Sequence, residues 1–393
     1  MKVLHIITGL GIGGAEQQLR LLLRQLPTDG DVITLTNPGA VADGIVADGG
    51  SVRNLAMAGN RDLGALPRLT GLIRQGRYDL VHTHLYRACL YGRFAARLAG
   101  VRAIVATEHS LGEAQIEGRP LTPGARALYL AGERAGTATV AVSATVARRL
   151  ERWGVRRDRI HVVPNGIEAG RFAFDPAARR AARAHLGLPA GAFVAGGVGR
   201  LTPGKRFDRL VRAVARLPEA RFLLVGDGPE RARLRRLAEE LGAADRVLLY
   251  GACEDPPPYK DLSRTGGSPA GGLGLPALLA AMDVAVSTSH DEAFGLAAVE
   301  ALAAGLPVLY VTCPALQDLP PESAPEARRI SGSVPGLADE LRRFQETPAA
   351  RAPRAVAPAA LHYDISRSAA QLMAVYEHAA RGRSASLREV SCP

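Results

Sequence analysis

The sequence predicts an α/β protein of two doubly wound, parallel-sheet domains facing each other across a cleft. Three observations carry this. Short β-rich runs alternate with longer helical patterns along most of the 393 residues. The alternation restarts near the middle of the chain. Each half opens on a strand, a glycine-rich turn and a helix: "KVLHII" with "TGLGIGGAE" (residues 8–16) in the first, and "GVGRLTPGKRFD" (197–208) in the second. Such alternation argues for βαβ units and a parallel sheet covered on both faces, and ligands of such sheets sit at the carboxyl ends of the strands.

In the first half the strand candidates are "KVLHIIT", "DVITLTN", "SVRNLAM", "YDLVHTH", "RAIVATEH", "ATVAVS" and "RIHVVPN". Helix candidates between them include "AEQQLRLLLRQL", "RACLYGRFAARLAG" and "ARALYLAGERAG". A polar, Arg/Ala-rich stretch, "ARRAARAHLGLPAGA", separates the halves. The second half continues with "FVAGGVGRL", "ARFLLVGDG", "RVLLYG", "DVAVSTS" and "PVLYVTC". Residues 254–276 are dominated by Pro and Gly and read as a surface loop without a core of its own. The organisation expected is a first domain over residues 1–168, a second over 169–363, an amphipathic helix over 364–382 crossing back to the first domain, and a frayed tail over 383–393.

Composition is that of an ordinary globular protein, 47% apolar and 22% charged. No run of about 18 uninterrupted apolar residues is present, and Met1 leads straight into a strand-like stretch without a signal-peptide pattern. Cys89, Cys253, Cys313 and Cys392 show neither metal-like spacing nor a disulfide framework. The expectation is a reduced, cytoplasmic protein. The net charge of +11 points to a compositional bias rather than to nucleic acid, because only Lys2, Lys205 and Lys260 of the 49 basic residues are lysines. Basic residues are not interleaved with aromatics as in single-strand binders. The stretch "ATVARRLERWGVRRDR", with Arg148, Arg149 and Arg152, suits either a solvated basic face or contact with an anionic bilayer at the inner face of the membrane.

Gly9, Gly11 and Gly14 have the spacing of a dinucleotide-binding loop. NAD binding also wants an acidic residue at the end of the second strand, where this chain has Thr36, Asn37 and Pro38. What survives is physical: glycines allow close approach to the backbone, and a helix starting near Ala15 directs free N–H groups into the cleft. A tight turn without a ligand is the plain alternative. In the second half, Arg200 and Lys205 stand five residues apart on the turn after a strand. Two cations beside a helix N-terminus suit a diphosphate. A solvated basic loop is the alternative there.

"HDEAFGLAAVEALAAGLPVL" (290–309) is the most informative segment. A helix is expected from near Gly295, so that the free N–H groups of Phe294, Gly295 and Leu296 face a phosphate. Glu292 precedes it, and Glu300 lies about 7–8 Å along its axis. The first suits sugar hydroxyls and the second a ribose. Acidic residues also favour helix N-termini, which accounts for Glu292. That does not account for Glu300, a carboxylate in an apolar helix that needs a partner.

These segments, with "GGAE", "DLVHTH", "VVPNGI" and "LVGDGPE", resemble the bacterial retaining, nucleotide-sugar-dependent glycosyltransferases of family 4, which have the GT-B fold. The resemblance covers nearly the whole chain, and Glu292 and Glu300 match the family's E-x7-E signature. It implies that Arg200 and Lys205 hold a diphosphate, Glu292 the donor sugar and Glu300 the ribose. By the same likeness Gly13 and Gly14 lie near the phosphates or acceptor. His109 in "ATEHSLG" matches a histidine that contacts the donor sugar. The alternative for His109 is a strand-end hydrogen-bond network, and His82 and His84 look like packing residues that also support the site from behind. The chain departs from the pattern at "PALQDLPPE" (314–322) and in the 254–276 insertion, which puts base and acceptor specificity in doubt. The expected activity is glycosyl transfer from a nucleoside diphosphate sugar to a lipid-linked, polysaccharide or small-molecule acceptor, with retention, no metal and no other cofactor. An epimerase or a non-catalytic nucleotide-sugar-binding protein of the same fold are the rival readings.

Overall fold

The computed structural model describes residues 1–59, 62–113, 115–117, 119–120, 122–253, 272–346 and 354–381. Most of the 254–276 stretch, and the tail beyond 381, therefore lie outside the described residues. In chain order the strands are β1 (Lys2–Ile7), β2 (Asp29–Thr34), β3 (Ser51–Asn54), β4 (Leu80–His84), β5 (Ala103–Glu108), the two-residue β6 (Gln115–Ile116) and β7 (Arg119–Pro120), β8 (Ala138–Ala141) and β9 (Ile160–Val162). The second half supplies β10 (Phe193–Val198), β11 (Ala220–Val225), β12 (Val247–Gly251), β13 (Val284–Ser287), β14 (Val308–Tyr310) and β15 (Ala327–Arg329).

They form a seven-stranded sheet in the order β3-β2-β1-β4-β5-β8-β9 and a six-stranded sheet in the order β12-β11-β10-β13-β14-β15. Every pairing within these two sheets is parallel, whereas β6 and β7 make a small antiparallel hairpin. The central strands read as near-continuous apolar runs because helices cover both faces: Val3, Leu4, Ile6 and Ile7 of β1 are all fully buried. Covering helices show the matching periodicity. In Phe207–Ala215 the buried residues Phe207, Leu210, Val211 and Val214 fall on one stripe.

Two elements differ from the sequence reading. The Arg/Ala-rich stretch between the halves contains a helix, Pro176–His185, capped by the Asp175 side chain. Its arginines look like linker polarity in sequence, but Arg179 and Arg183 both reach the buried Asp283. The sixth strand of the second sheet, β15, is only "ARR"; an edge strand this short carries no apolar pattern.

The chain ends with the helix Ile365–Arg381, which packs on the first sheet beside the helix Gly14–Gln25. Ile365, Leu372, Val375 and Tyr376 share one core with Val3, Leu22, Leu80 and Val105. Ile167 forms a parallel bridge with Asp364, its amide donating to the Tyr363 carbonyl at 2.8 Å and its carbonyl accepting the Ile365 amide at 3.0 Å. Gly166 is required there, since a Cβ would lie 2.5 Å from the Cα of Ile365. Deeper in, the Tyr376 hydroxyl meets His82 Nδ1 at 2.7 Å, joining residues 294 positions apart. Tyr376→Phe should leave His82 Nδ1 buried without a partner and cost about 1–3 kcal/mol, measured as the shift in denaturant unfolding against wild type.

Candidate functional site

Each sheet reverses its strand order once, between β1 and β4 in the first and between β10 and β13 in the second. A crevice opens at such points, outside the carboxyl ends of the strands. The loops leaving these four strands meet. A Cβ on Gly14 would stand 3.1 Å from Leu296 Cδ1, which puts the glycine loop of the first sheet against the N-terminus of the Leu296–Ala303 helix of the second. Gly13 is the extended N-cap of the helix Gly14–Gln25, and the Glu16 side chain folds back over it. Burial raises the proton affinity of Glu16, Arg200 opposes that, and Glu117 adds to it. Arg200 itself is exposed at the end of β10.

Lys205 closes a short 3-10 turn, Pro203–Lys205. The end of β13 holds this turn: Thr288 Oγ1 donates to the Lys205 carbonyl at 2.7 Å and Ser289 Oγ to the Gly204 carbonyl at 3.3 Å. Lys205 Nζ donates to Glu292 Oε1 in an ion pair whose side chains are 30% and 14% exposed. Two residues that the sequence assigns to adjoining parts of a donor, its diphosphate and its sugar, thus lie in direct contact.

Gly295 caps the helix in the left-handed region, with φ 106°, and a Cβ there would collide with Cys313 Sγ. The first-turn amides of this helix have no intrahelical acceptor. Phe294 is a buried anchor: its ring stacks edge-on against Tyr363 at 5.0 Å, and its carbonyl accepts the Ala315 amide at 2.9 Å. Five residues into the helix, burial pushes the Glu300 carboxyl up to about 7, opposed by Arg171 on the neighbouring 3-10 turn Ala169–Phe172.

On the first sheet, His5 and His82 are register partners, and His84 shares their face two residues on. A chain of imidazoles follows: His5 Nδ1 to His84 Nε2 at 3.2 Å, then His84 Nδ1 to His109 Nε2 at 3.2 Å. Burial lowers His5 and His109 to about 4 and holds His82 and His84 well below the ordinary histidine value. His109 therefore acts as a neutral hydrogen-bonding group near pH 7. The ligand nitrogens of His5, His82 and His84 lie within 4.8 Å of one another, a spacing a metal could use. His5 and His84 contact each other and His82 contacts Tyr376 and Thr107, while His5 Nε2 is buried without a hydrogen-bond partner among the described residues. His84 links His109 to the interior.

The basic stretch at 144–159 divides by its contacts. Arg149 is buried and engages Asp291, Arg152 pairs with Glu113, and Arg148 with Asp318. Arg149 and Arg148 thus pair with residues of the second half, Arg152 with one of the first, and Arg148 and Arg152 keep 63% and 61% of their side chains exposed. Among the described residues no helix is long and apolar enough to cross a membrane. Sequence reasoning missed Arg149, Asp291, Thr288 and Ser289. The hydroxyl pair stood in plain view at the end of "DVAVSTS", but its carbonyl acceptors lie more than 80 residues away.

Two parallel sheets with opposed switch points are the GT-B fold of glycosyltransferases. Residues 12–171 match the family Glycosyltransferase Family 4, and residues 192–344 match Glycosyl transferases group 1. A D-inositol 3-phosphate glycosyltransferase of Acidothermus cellulolyticus is 35% identical over 62% of this chain, which spans only 54% of that relative. A 2-deoxystreptamine glucosyltransferase of Streptomyces kanamyceticus is 30% identical over 72% of this chain and 73% of the relative. The crystal structure of Anabaena HepE in complex with UDP-glucose superposes with a TM-score of 0.78 at 22% identity, covering 96% of this chain and 100% of that one. The chain belongs to glycosyltransferase family 4.

Two outcomes follow from the geometry. Gly295→Ala, forced into a left-handed backbone and onto Cys313, should cost about 2 kcal/mol or more, read by denaturant unfolding. The folded chain holds the Glu300 proton more tightly than the unfolded chain, so ionisation of this group costs stability as pH rises from the ordinary carboxyl range to about 7. Glu300→Gln removes that loss. Relative to wild type the variant should gain on the order of 1 kcal/mol between pH 5 and pH 8, measured by paired thermal melts; a constant difference across that range would contradict the assignment.

Proposed function

We propose that this chain transfers a glycosyl unit from a nucleoside diphosphate sugar, a UDP-sugar first among them, to an acceptor hydroxyl, with retention of anomeric configuration and without a metal. The observation that carries the reading is the Lys205–Glu292 ion pair at the second sheet's switch point, beside the N-terminus capped by Gly295 and one and a half turns from Glu300.

The chemistry follows from charge. Departure of a nucleoside diphosphate leaves an oxocarbenium-like sugar and puts negative charge on the leaving oxygen, and preformed positive groups aimed there lower the barrier. Lys205, Arg200 and the amides at Gly295 and Leu296 supply that field. An arriving diphosphate competes with Glu292 for Lys205. Winning that contest releases the Glu292 carboxylate to accept from sugar hydroxyls, so one exchange of partners both clamps the leaving group and arms sugar recognition. Glu300, deeper along the helix, accepts from the ribose. Neutral His109 serves as a hydrogen-bond partner for the sugar from the opposite sheet, and Gly13 and Gly14 let phosphate or acceptor approach the backbone. Because relatives are named for D-inositol 3-phosphate and 2-deoxystreptamine, we test small polyhydroxylated rings first in an acceptor panel, ahead of polysaccharides and lipid-linked sugars.

A panel of nucleotide sugars read by protection from thermal unfolding identifies the donor, and transfer assays with that donor test the roles. Lys205→Ala should lower kcat by about 100-fold or more, whereas Glu300→Ala should raise the donor KM. Wild-type kinetics in both variants would remove the assignment. Turnover of the sugar without any acceptor would favour an epimerase, and protection without turnover a binding protein.

A further inference from the structure

The loops that carry His109 and Glu292 come from different sheets, and one buried guanidinium touches both. Arg149 lies in the helix Ala144–Trp153 and is 4% exposed. Its Nη1 donates to the carbonyl of Leu111 at 2.7 Å, two residues beyond His109, and to the carbonyl of Glu292 itself at 3.0 Å. Its Nη2 donates to Asp291 Oδ1 at 2.8 Å, and its Nε to Glu113 Oε1 at 3.4 Å. Asp291 completes the circuit by accepting the Glu113 amide on Oδ2 at 3.1 Å. Alongside, the N-cap residue of the same helix, Ser143, donates to the Ala293 carbonyl at 2.7 Å.

We propose that Arg149 is a positioning residue that holds the Glu292 loop in register with the loop behind His109, with Asp291 as its counterpart on the opposite sheet. The proposal rests on the reading above, in which Glu292 and His109 approach one sugar from two sides. Its physical basis is the division of one guanidinium between two backbones. The planar fork reaches several acceptors at fixed angles, which an ammonium does not. A shift of either loop removes an acceptor from a buried cation whose desolvation is then uncompensated. Glu292 and Leu111 are therefore tied to move together. The ion pair with Asp291 makes that tie specific to the arrangement in which the two halves are docked. Misplacement of a reacting group by about 1 Å costs as much as 100-fold in rate, so such a tie acts on kcat more than on donor affinity, because Lys205, Arg200 and Glu300 all sit on one side of the seam.

The test uses the full chain and the donor found by thermal protection. Asp291→Asn and Arg149→Lys should each lower kcat by about 10- to 100-fold while leaving the donor KM within about twofold. The double variant should lose no more than the worse single one, the mark of two residues acting through one contact. Arg149→Lys should retain more activity than Arg149→Met. Unchanged kcat in Asp291→Asn, losses that add in the double variant, or an effect confined to KM would overturn the proposal. If Arg149→Met fails to fold, Asp291→Asn alone decides. If wild type transfers no sugar, the functional reading fails instead, and the tie is read by hydrogen exchange. Asp291→Asn should then speed exchange of the amides at residues 110–113, and unchanged exchange there would refute it.

Discussion

Lys205 and Glu292 neutralise each other at the place where two parallel sheets bring their carboxyl edges together, and most of the surrounding structure serves to hold that contact. The ammonium is fixed from below by Thr288 and Ser289, which grip the turn that carries it. The carboxylate is fixed by Arg149, which binds its main-chain carbonyl. Because both side chains keep part of their surface in water, the pair contributes little to stability on its own. Its value lies in being exchangeable: a polyanion can take the cation, and hydroxyls can take the carboxylate.

The two halves contribute in different currencies. The second sheet offers charge and free amides, arranged within a few residues of one another at 200–206 and 290–300. The first offers neutral hydrogen-bonding groups, since burial keeps His5, His82, His84 and His109 uncharged near neutral pH. A neutral imidazole facing an electron-poor sugar adds no repulsion to a developing positive charge, whereas an imidazolium would. The terminal helix secures this half by placing Tyr376 on His82, so the end of the chain braces the histidine layer at its beginning.

Much of this was legible in the sequence wherever one local pattern sufficed. Twelve of the thirteen strands in the two parallel sheets fall in runs read from the sequence, the central ones because burial on both faces leaves little room for polar residues, although the edge strand β3 is largely exposed. The Glu292 and Glu300 spacing is readable because a carboxylate in an apolar helix demands an explanation. Illegible features share one cause: their partners are remote. Nothing in "ATVARRLERW" distinguishes Arg149 from its neighbours Arg148 and Arg152, yet only Arg149 is buried, and its acceptors at 111 and 291–292 come from both halves. The helix at 176–185 was obscured in the same way, its arginines being spent on Asp283 about a hundred residues later. A strand as short and basic as β15 carries no signal at all. Its place is set by pairing with β14.

The Lys205–Glu292 contact is tested most directly by what happens to it when a donor binds. A crystal structure with a non-hydrolysable nucleotide sugar is the measurement that decides. It should show Lys205 Nζ transferred to a phosphate oxygen, Glu292 turned to the sugar, and the ribose within reach of Glu300. A donor lodged elsewhere, with the ammonium and carboxylate still joined, would contradict it.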